Sequence, residues 1–227
     1  GSNTAVGYAA LGANTTGTLN NAFGVNSLDA NTTGNTNVAM GYAALGSNTT
    51  ASANVAIGHD AMVANTTGAN NTAVGFQALD ANTTGTYNTA VGWSALSANT
   101  TGDDNVAVGY AALAANTTGT FNIGIGSSAV DGLTTGIQNI GIGGNVMGGA
   151  AITGNFNVAI GQNAMYLLTT GQYNVGIGVH ALDAMTTASY NTAVGTHALG
   201  VNTTGASNVA VGAYALDANT TAANNAA

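Results

Sequence analysis

A 17-residue period runs through this chain, and no other feature narrows the fold so far. The register begins at Asn3 and recurs at Asn20, Asn37, Asn54, Asn71, Asn88, Asn105, Asn122, Asn139, Asn157, Asn174, Asn191 and Asn208, which makes thirteen units. Every step has the same length except the one from Asn139 to Asn157, which is longer by a single residue. There Gly148-Gly149-Ala150-Ala151 replaces the usual Ala-Asn-Thr-Thr approach, and the stretch is expected to bulge or loop out. The unit reads N-[T/V/I]-A-[V/I]-G-x-x-A-L-x-A-N-T-T-G-x-x, so every coil shares the same seventeen columns. The expectation is a single repeat domain over residues 1–227.

Two columns are large and apolar and are expected to form the core. Column four runs Val6, Phe23, Met40, Ile57, Val74, Val91, Val108, Ile125, Ile142, Ile160, Ile177, Val194 and Val211. Column nine runs from Leu11 and Leu28 through Met147 and Met165 to Leu216. Alternation across columns two to four, with β-branched residues separated by Ala or Gly, signals a short strand, and so few residues cannot sustain a helix. Glycine fills column five from Gly7 to Gly212, where a corner needs positive φ or close backbone approach. The segment A-L-x-A-N-T-T is expected to form a second short strand, followed by a glycine corner.

These features predict an all-β chain: a β-solenoid, or parallel β-roll, of thirteen 17-residue coils. Stacking at about 4.8 Å gives a rod of about 60 Å, and the Asn and Thr columns become ladders that bond the coil above and below. The apolar core of each coil is thin beside the cost of ordering its backbone, so lateral or end-to-end assembly is expected. Repeats that run nearly to both ends without charged caps point the same way, to a piece of a longer fibre or a subunit that stacks.

Composition bears on partners. The chain has no Lys, Arg, Glu, Pro or Cys, and its eight acids give a net charge of −8. Binding to nucleic acid or anionic lipid draws on Lys and Arg near phosphate, so neither partner is expected. At 45% apolar the chain does not read as disordered. It has no apolar run long enough to span a membrane and no secretory leader at its start, so membrane insertion is not expected and any export signal lies elsewhere. Without Lys or Arg there is no trypsin-type cleavage site, which suits an exposed extracellular protein.

Residues that could carry chemistry are few. No G-x-S-x-G elbow occurs. His59-Asp60 are neighbours that read as an exposed pair, and no catalytic, cofactor or metal site is expected. The G-x-G at Gly124, Gly141 and Gly176 lacks a third glycine and reads as an Ala-to-Gly variant of the strand column. His180 and His197 share a column in adjacent coils, about 5 Å apart, and read as a stacked surface pair. Asp29, Asp80, Asp131, Asp183 and Asp217 share column ten but never in adjacent coils, which fits avoidance of repulsion better than a calcium repeat.

Column six carries an aromatic stripe, Tyr8, Tyr42, Phe76, Trp93 and Tyr110, which reads as subunit packing or as a glycan platform. The last column holds a second, Tyr87, Phe121, Phe156, Tyr173 and Tyr190. The Asn-Thr-Thr runs at Asn14, Asn31, Asn48, Asn65, Asn82, Asn99, Asn116, Asn202 and Asn219 are N-glycosylation sequons, or alternatively plain Asn–Thr ladders.

The motif N-T-A-V-G-Y-A-A-L-G-A-N-T-T-G at 3–17 resembles repeats of phage tail fibres and large bacterial surface proteins. The strand part, N-V-A-I-G at 54–58 and 157–161, is similar to the head repeat of trimeric autotransporter adhesins. That resemblance covers the whole chain. It implies a trimer of left-handed parallel β-rolls, although those repeats are shorter than the period found here, and it brings no functional residues. The resulting expectation is a non-catalytic structural fibre, extracellular, at the cell surface or on a virion, whose partner is itself as a filament or trimer. A second reading is an adhesin or phage receptor-binding shaft that touches cell-surface glycans. A third is an ice-binding solenoid built on the adjacent Thr columns, such as Thr15 and Thr16.

Overall fold

In a computed structural model the chain is an all-β solenoid, and the structure describes residues 1–149 and 151–227. Each coil contributes one three-residue strand from columns two to four. The strands are β1 (Thr4–Val6), β2 (Asn21–Phe23), β3 (Val38–Met40), β4 (Val55–Ile57), β5 (Thr72–Val74), β6 (Thr89–Val91), β7 (Val106–Val108), β8 (Ile123–Ile125), β9 (Ile140–Ile142), β10 (Val158–Ile160), β11 (Val175–Ile177), β12 (Thr192–Val194) and β13 (Val209–Val211). The chain divides into two compact units, Gly1–Thr118 with β1 to β7 and Gly119–Ala227 with β8 to β13. Within each unit consecutive strands pair in parallel, each residue opposite its counterpart one coil on, as Thr72 is opposite Thr89 and Val175 opposite Thr192. A parallel strand needs a crossover, and here the rest of the coil supplies it.

The corner after each strand explains the invariant glycine. Column five has φ between 128° and 142° in all thirteen coils, from Gly7 to Gly212. At Gly92 a Cβ would also overlap the carbonyl oxygen of Gly109 in the next coil. Conformation and space both demand glycine there.

The second segment is not a strand, contrary to the sequence expectation. Columns seven, nine and seventeen adopt left-handed φ in every coil with non-glycine residues, such as Ala43 (φ 52°), Leu45 (φ 52°) and Ala53 (φ 60°). Such residues break the extended geometry that a strand requires. Backbone bonding between coils nevertheless continues around the turn. Leu45 N–H donates to Ala61 O at 3.0 Å, Ser47 N–H to Val63 O at 3.1 Å and Thr49 N–H to Thr66 O at 3.1 Å.

The core also differs from expectation. Column nine is buried as anticipated, from Leu28 to Leu199, but column four is not. Val6 is 55% exposed, Met40 44% and Ile57 37%. Side chains alternate along a strand, so only one of columns three and four can face inward. Column three wins: Ala22, Ala39, Ala56 and their equivalents through Ala210 are completely buried, while Ala5 of the first coil is exposed. The interior left for it is narrow, because it is filled by the column-nine Leu or Met, the column-eight Ala and the Asn of columns one and twelve. Gly141 shows how tight it is, since a Cβ there would run into Val130 Cγ2 and lie 3.1 Å from Val146 Cγ1. Gly124, Gly141 and Gly176 therefore sit mid-strand in β8, β9 and β11, as the Ala-to-Gly variant of this column.

In the longer unit, Gly149 N–H donates to Tyr166 O and Ile152 N–H to Gly132 O, both at 2.8 Å. Cross-coil bonding is therefore in place on both sides of Ala150, and the part of the expected bulge that falls on Ala150 lies outside the described residues. Among the described residues no helix is long and apolar enough to cross a membrane.

Candidate functional site

Two asparagine ladders hold the coils in register and account for the buried polar columns. In column one, Asn54 N–H donates to Asn37 Oδ1 at 3.0 Å, and Asn54 Nδ2 donates to Gly68 O at 2.9 Å. In column twelve, Asn65 Nδ2 donates to Asn48 Oδ1 at 3.1 Å and to the same Gly68 carbonyl at 3.0 Å. Both ladders thus converge on the column-fifteen carbonyl, which uses both its lone pairs. Buried amides are tolerated because they are bonded.

This geometry places the sequons. Asn31, Asn48, Asn65, Asn82, Asn99, Asn116 and Asn202 are fully buried, while Asn14 and Asn219 are partly so. The Nδ2 atom that would carry a sugar donates inside the coil, from Asn14 to Gly17 O and from Asn219 to Ala222 O. A glycan on the folded chain would require the ladder to open. The following Thr column is spent similarly, with Thr66 Oγ1 donating to Thr83 O at 3.0 Å, while column fourteen, Thr67 for example, is exposed.

From Leu133 to Met185 this part of the interior changes character. Leu133, Leu168 and Met185 take the column-twelve position of Asn, and in the longer coil between the first two Ile152 forms a bridge to Leu133. All four are fully buried. A lone Leu within an Asn ladder would break two side-chain bonds at once, whereas a run of apolar residues packs against itself.

The outward face carries the candidate site. Columns two and four point away from the core on every strand, so the first unit presents Thr72, Val74, Thr89, Val91, Val106 and Val108 side by side. No ionisable residue occurs in either column, and all eight Asp fall in columns seven, ten, sixteen and seventeen.

Column six adds rings. Tyr42, His59, Phe76, Trp93 and Tyr110 form one continuous stack, with centroid separations of 5.0, 5.4, 6.0 and 4.9 Å and interplanar angles from 6° to 25°. His59, absent from the aromatic stripe as read from the sequence, fills the gap between Tyr42 and Phe76. Its Nδ1 also lies 3.1 Å from Asp60 Oδ2, so the His59-Asp60 pair is an ion pair when the imidazole is protonated. Tyr8 stands outside the stack because Val25 occupies column six of the intervening coil. Of the second stripe, Phe156, Tyr173 and Tyr190 stack at 4.9 and 5.2 Å, while Tyr87 and Phe121 are separated by Asp104.

In the second unit His180 and His197 do stack, at 4.9 Å and 4°, and Tyr214 extends the column at 5.3 Å. His180 Nδ1 is also 2.8 Å from Asp183 Oδ2 within the same coil, a pairing of columns seven and ten that was not expected from the sequence. Among the described residues no group of three or more His or Asp side chains converges to hold a metal ion. Asp80 and Asp131 are half-buried in column ten. Burial pushes each carboxyl above its usual range, and each has an Oδ1 with no hydrogen-bond partner.

Comparison with protein-family models, characterised proteins and solved structures yields no match.

Proposed function

We propose that this chain is a non-catalytic structural fibre module whose copies associate side by side through the outward strand face, outside the cell or on a virion. The observation that carries this reading is the segregation of charge. A chain of net charge −8 repels its own copies, yet every acid is kept off the strand face and its apolar residues point to solvent.

The available area suits a second copy. Seven three-residue strands at about 4.8 Å spacing give the first unit a face of about 340 Å². The five-ring stack, with Tyr42, Phe76, Trp93 and Tyr110 each near half exposed, adds on the order of 400 Å². An interface of roughly 800 Å² per partner would draw on both surfaces, the strand face and the ring stack beyond the corner. In-register faces rich in β-branched residues also interdigitate well, as in paired sheets.

A glycan-binding reading draws little support from the same stack. Sugars dock on the faces of aromatic rings, and here each inner ring has both faces covered by its neighbours. An ice-binding reading based on the Thr columns meets the spent hydroxyls of column thirteen.

The test is sedimentation equilibrium of the chain and of a Val74→Lys, Val108→Lys variant. Both side chains project outward, so the variant keeps its circular-dichroism spectrum and melting behaviour within about 1 kcal/mol. The expected outcome is a concentration-dependent oligomer that the double substitution converts to monomer. A wild-type chain that stays monomeric at high concentration would overturn the reading.

A further inference from the structure

Column ten holds glycine in four coils, at Gly12, Gly46, Gly148 and Gly200, and only Gly200 has an aspartate in both neighbouring coils, Asp183 and Asp217. The missing side chain leaves a cleft of about 260 Å³ in the second unit, lined by Asp183, His197, Gly200, Val201, Tyr214 and Asp217. One coil earlier, the equivalent space is filled by the carboxylate of Asp183, which bonds His180 Nδ1 at 2.8 Å. In the coil of His197 no carboxylate occupies that place. The His197 ring is clamped between His180 and Tyr214 at 4.9 and 5.3 Å, so its edge, which carries the nitrogens, is what it can offer to the cleft.

We propose that this cleft binds a guanidinium group presented by another molecule. The cation has to come from outside, because the chain contains no Lys or Arg. Two coils separate Asp183 from Asp217, which puts their backbones on the order of 10 Å apart. A metal ion bridging two carboxylate oxygens spans only about 4 Å, in keeping with the absence of a converging ligand set among the described residues. A guanidinium, with donors on opposite corners at about 2.8 Å from each oxygen, spans on the order of 8 Å. It would donate to both aspartates, and a further N–H could reach the His197 nitrogen when that imidazole is neutral. Asp183 retains Oδ1 for this role, since Oδ2 serves His180. The site does not depend on lateral assembly, because column ten is distinct from the strand face.

The experiment is an NMR titration of the full chain that follows the imidazole resonances of its three histidines. The probes are N-acetyl-argininamide, a short arginine-containing peptide and N-acetyl-citrullinamide, the uncharged isostere. Saturable shifts of His197 with either arginine probe, at least tenfold weaker with citrulline, are expected. Tighter binding of the peptide would identify a partner protein's side chain as the source, and equal binding a small guanidinium compound. Asp217→Asn should weaken binding at least fivefold with an unchanged circular-dichroism spectrum, while Asp29→Asn in the first unit should not. Equal shifts with citrulline, shifts of His59 as large as those of His197, or an unaffected Asp217→Asn variant would overturn the proposal.

Discussion

At the scale of the residue, the ladders make single positions depend on their counterparts one coil away. Asn65 donates to Asn48 and Gly68 and accepts from Asn82. Asn65→Leu therefore strands Asn48 Oδ1 in the interior and should cost about 3 kcal/mol in chemical denaturation. Replacing Asn48, Asn65 and Asn82 together should cost well under three times as much, because the new Leu side chains can pack on one another, as Leu133, Ile152, Leu168 and Met185 fill the equivalent place in the second unit. Gly92→Ala should destabilise by about 3 kcal/mol or more, since φ is 138° and the methyl group meets the Gly109 carbonyl. Ala111→Gly, at φ 51°, should be within about 1 kcal/mol of neutral, because relief of left-handed strain offsets the added chain entropy. Asp80 and Asp131 supply a pH dependence. Burial raises both above the 3.8 of a free carboxyl, so the folded state favours their protonated forms. Their contribution is fully present below the unfolded value and is lost as pH rises through the folded one. Asp80→Asn and Asp131→Asn should accordingly raise the melting temperature at pH 7 and give no gain near pH 3.

At the scale of the element, the sequence revealed the period, the strand in columns two to four and the glycine corner. It did not reveal which face of the strand is buried. Large β-branched residues in column four suggested a core, but the coil is too narrow to admit them, and Ala39 is enclosed while Met40 meets solvent. Size alone misleads where the interior is a few side chains wide. The second segment misled for a different reason: Thr and Leu favour extended backbone, yet Leu45 sits at φ 52° because closing a coil within one period requires sharp turns. Stacked columns were the most legible part of the candidate site, as the rings from Phe76 to Tyr110 and the His180–His197 pair show. The place of His59 in the ring stack was missed because a histidine suggests a chemical group before it suggests a flat ring, and the His180–Asp183 pairing because it joins two different columns of one coil.

At the scale of the whole molecule, contacts within each unit run from one coil to the next, and side-chain bonds join residues to their counterparts in the neighbouring coil, as Asn54 to Asn37 and Asn65 to Asn48. Stability in such a chain is a sum of coil and neighbour terms. Deleting residues 54–70, one full coil, should leave a folded protein whose melting temperature falls by only a few degrees, as read by calorimetry. Deleting Ala64 alone, which leaves one coil a residue short, should cost far more, because column twelve would then lose its alignment with Asn48 and Asn82. The equivalence of coils also bears on descent. A gene for this chain can gain or lose length by recombination between its own repeats, each exchange being silent to the fold when it moves a whole number of periods. A change in column twelve survives best when a neighbouring copy carries it too. The apolar run from Leu133 through Ile152 and Leu168 to Met185 meets that condition, each member having an apolar neighbour in an adjacent coil.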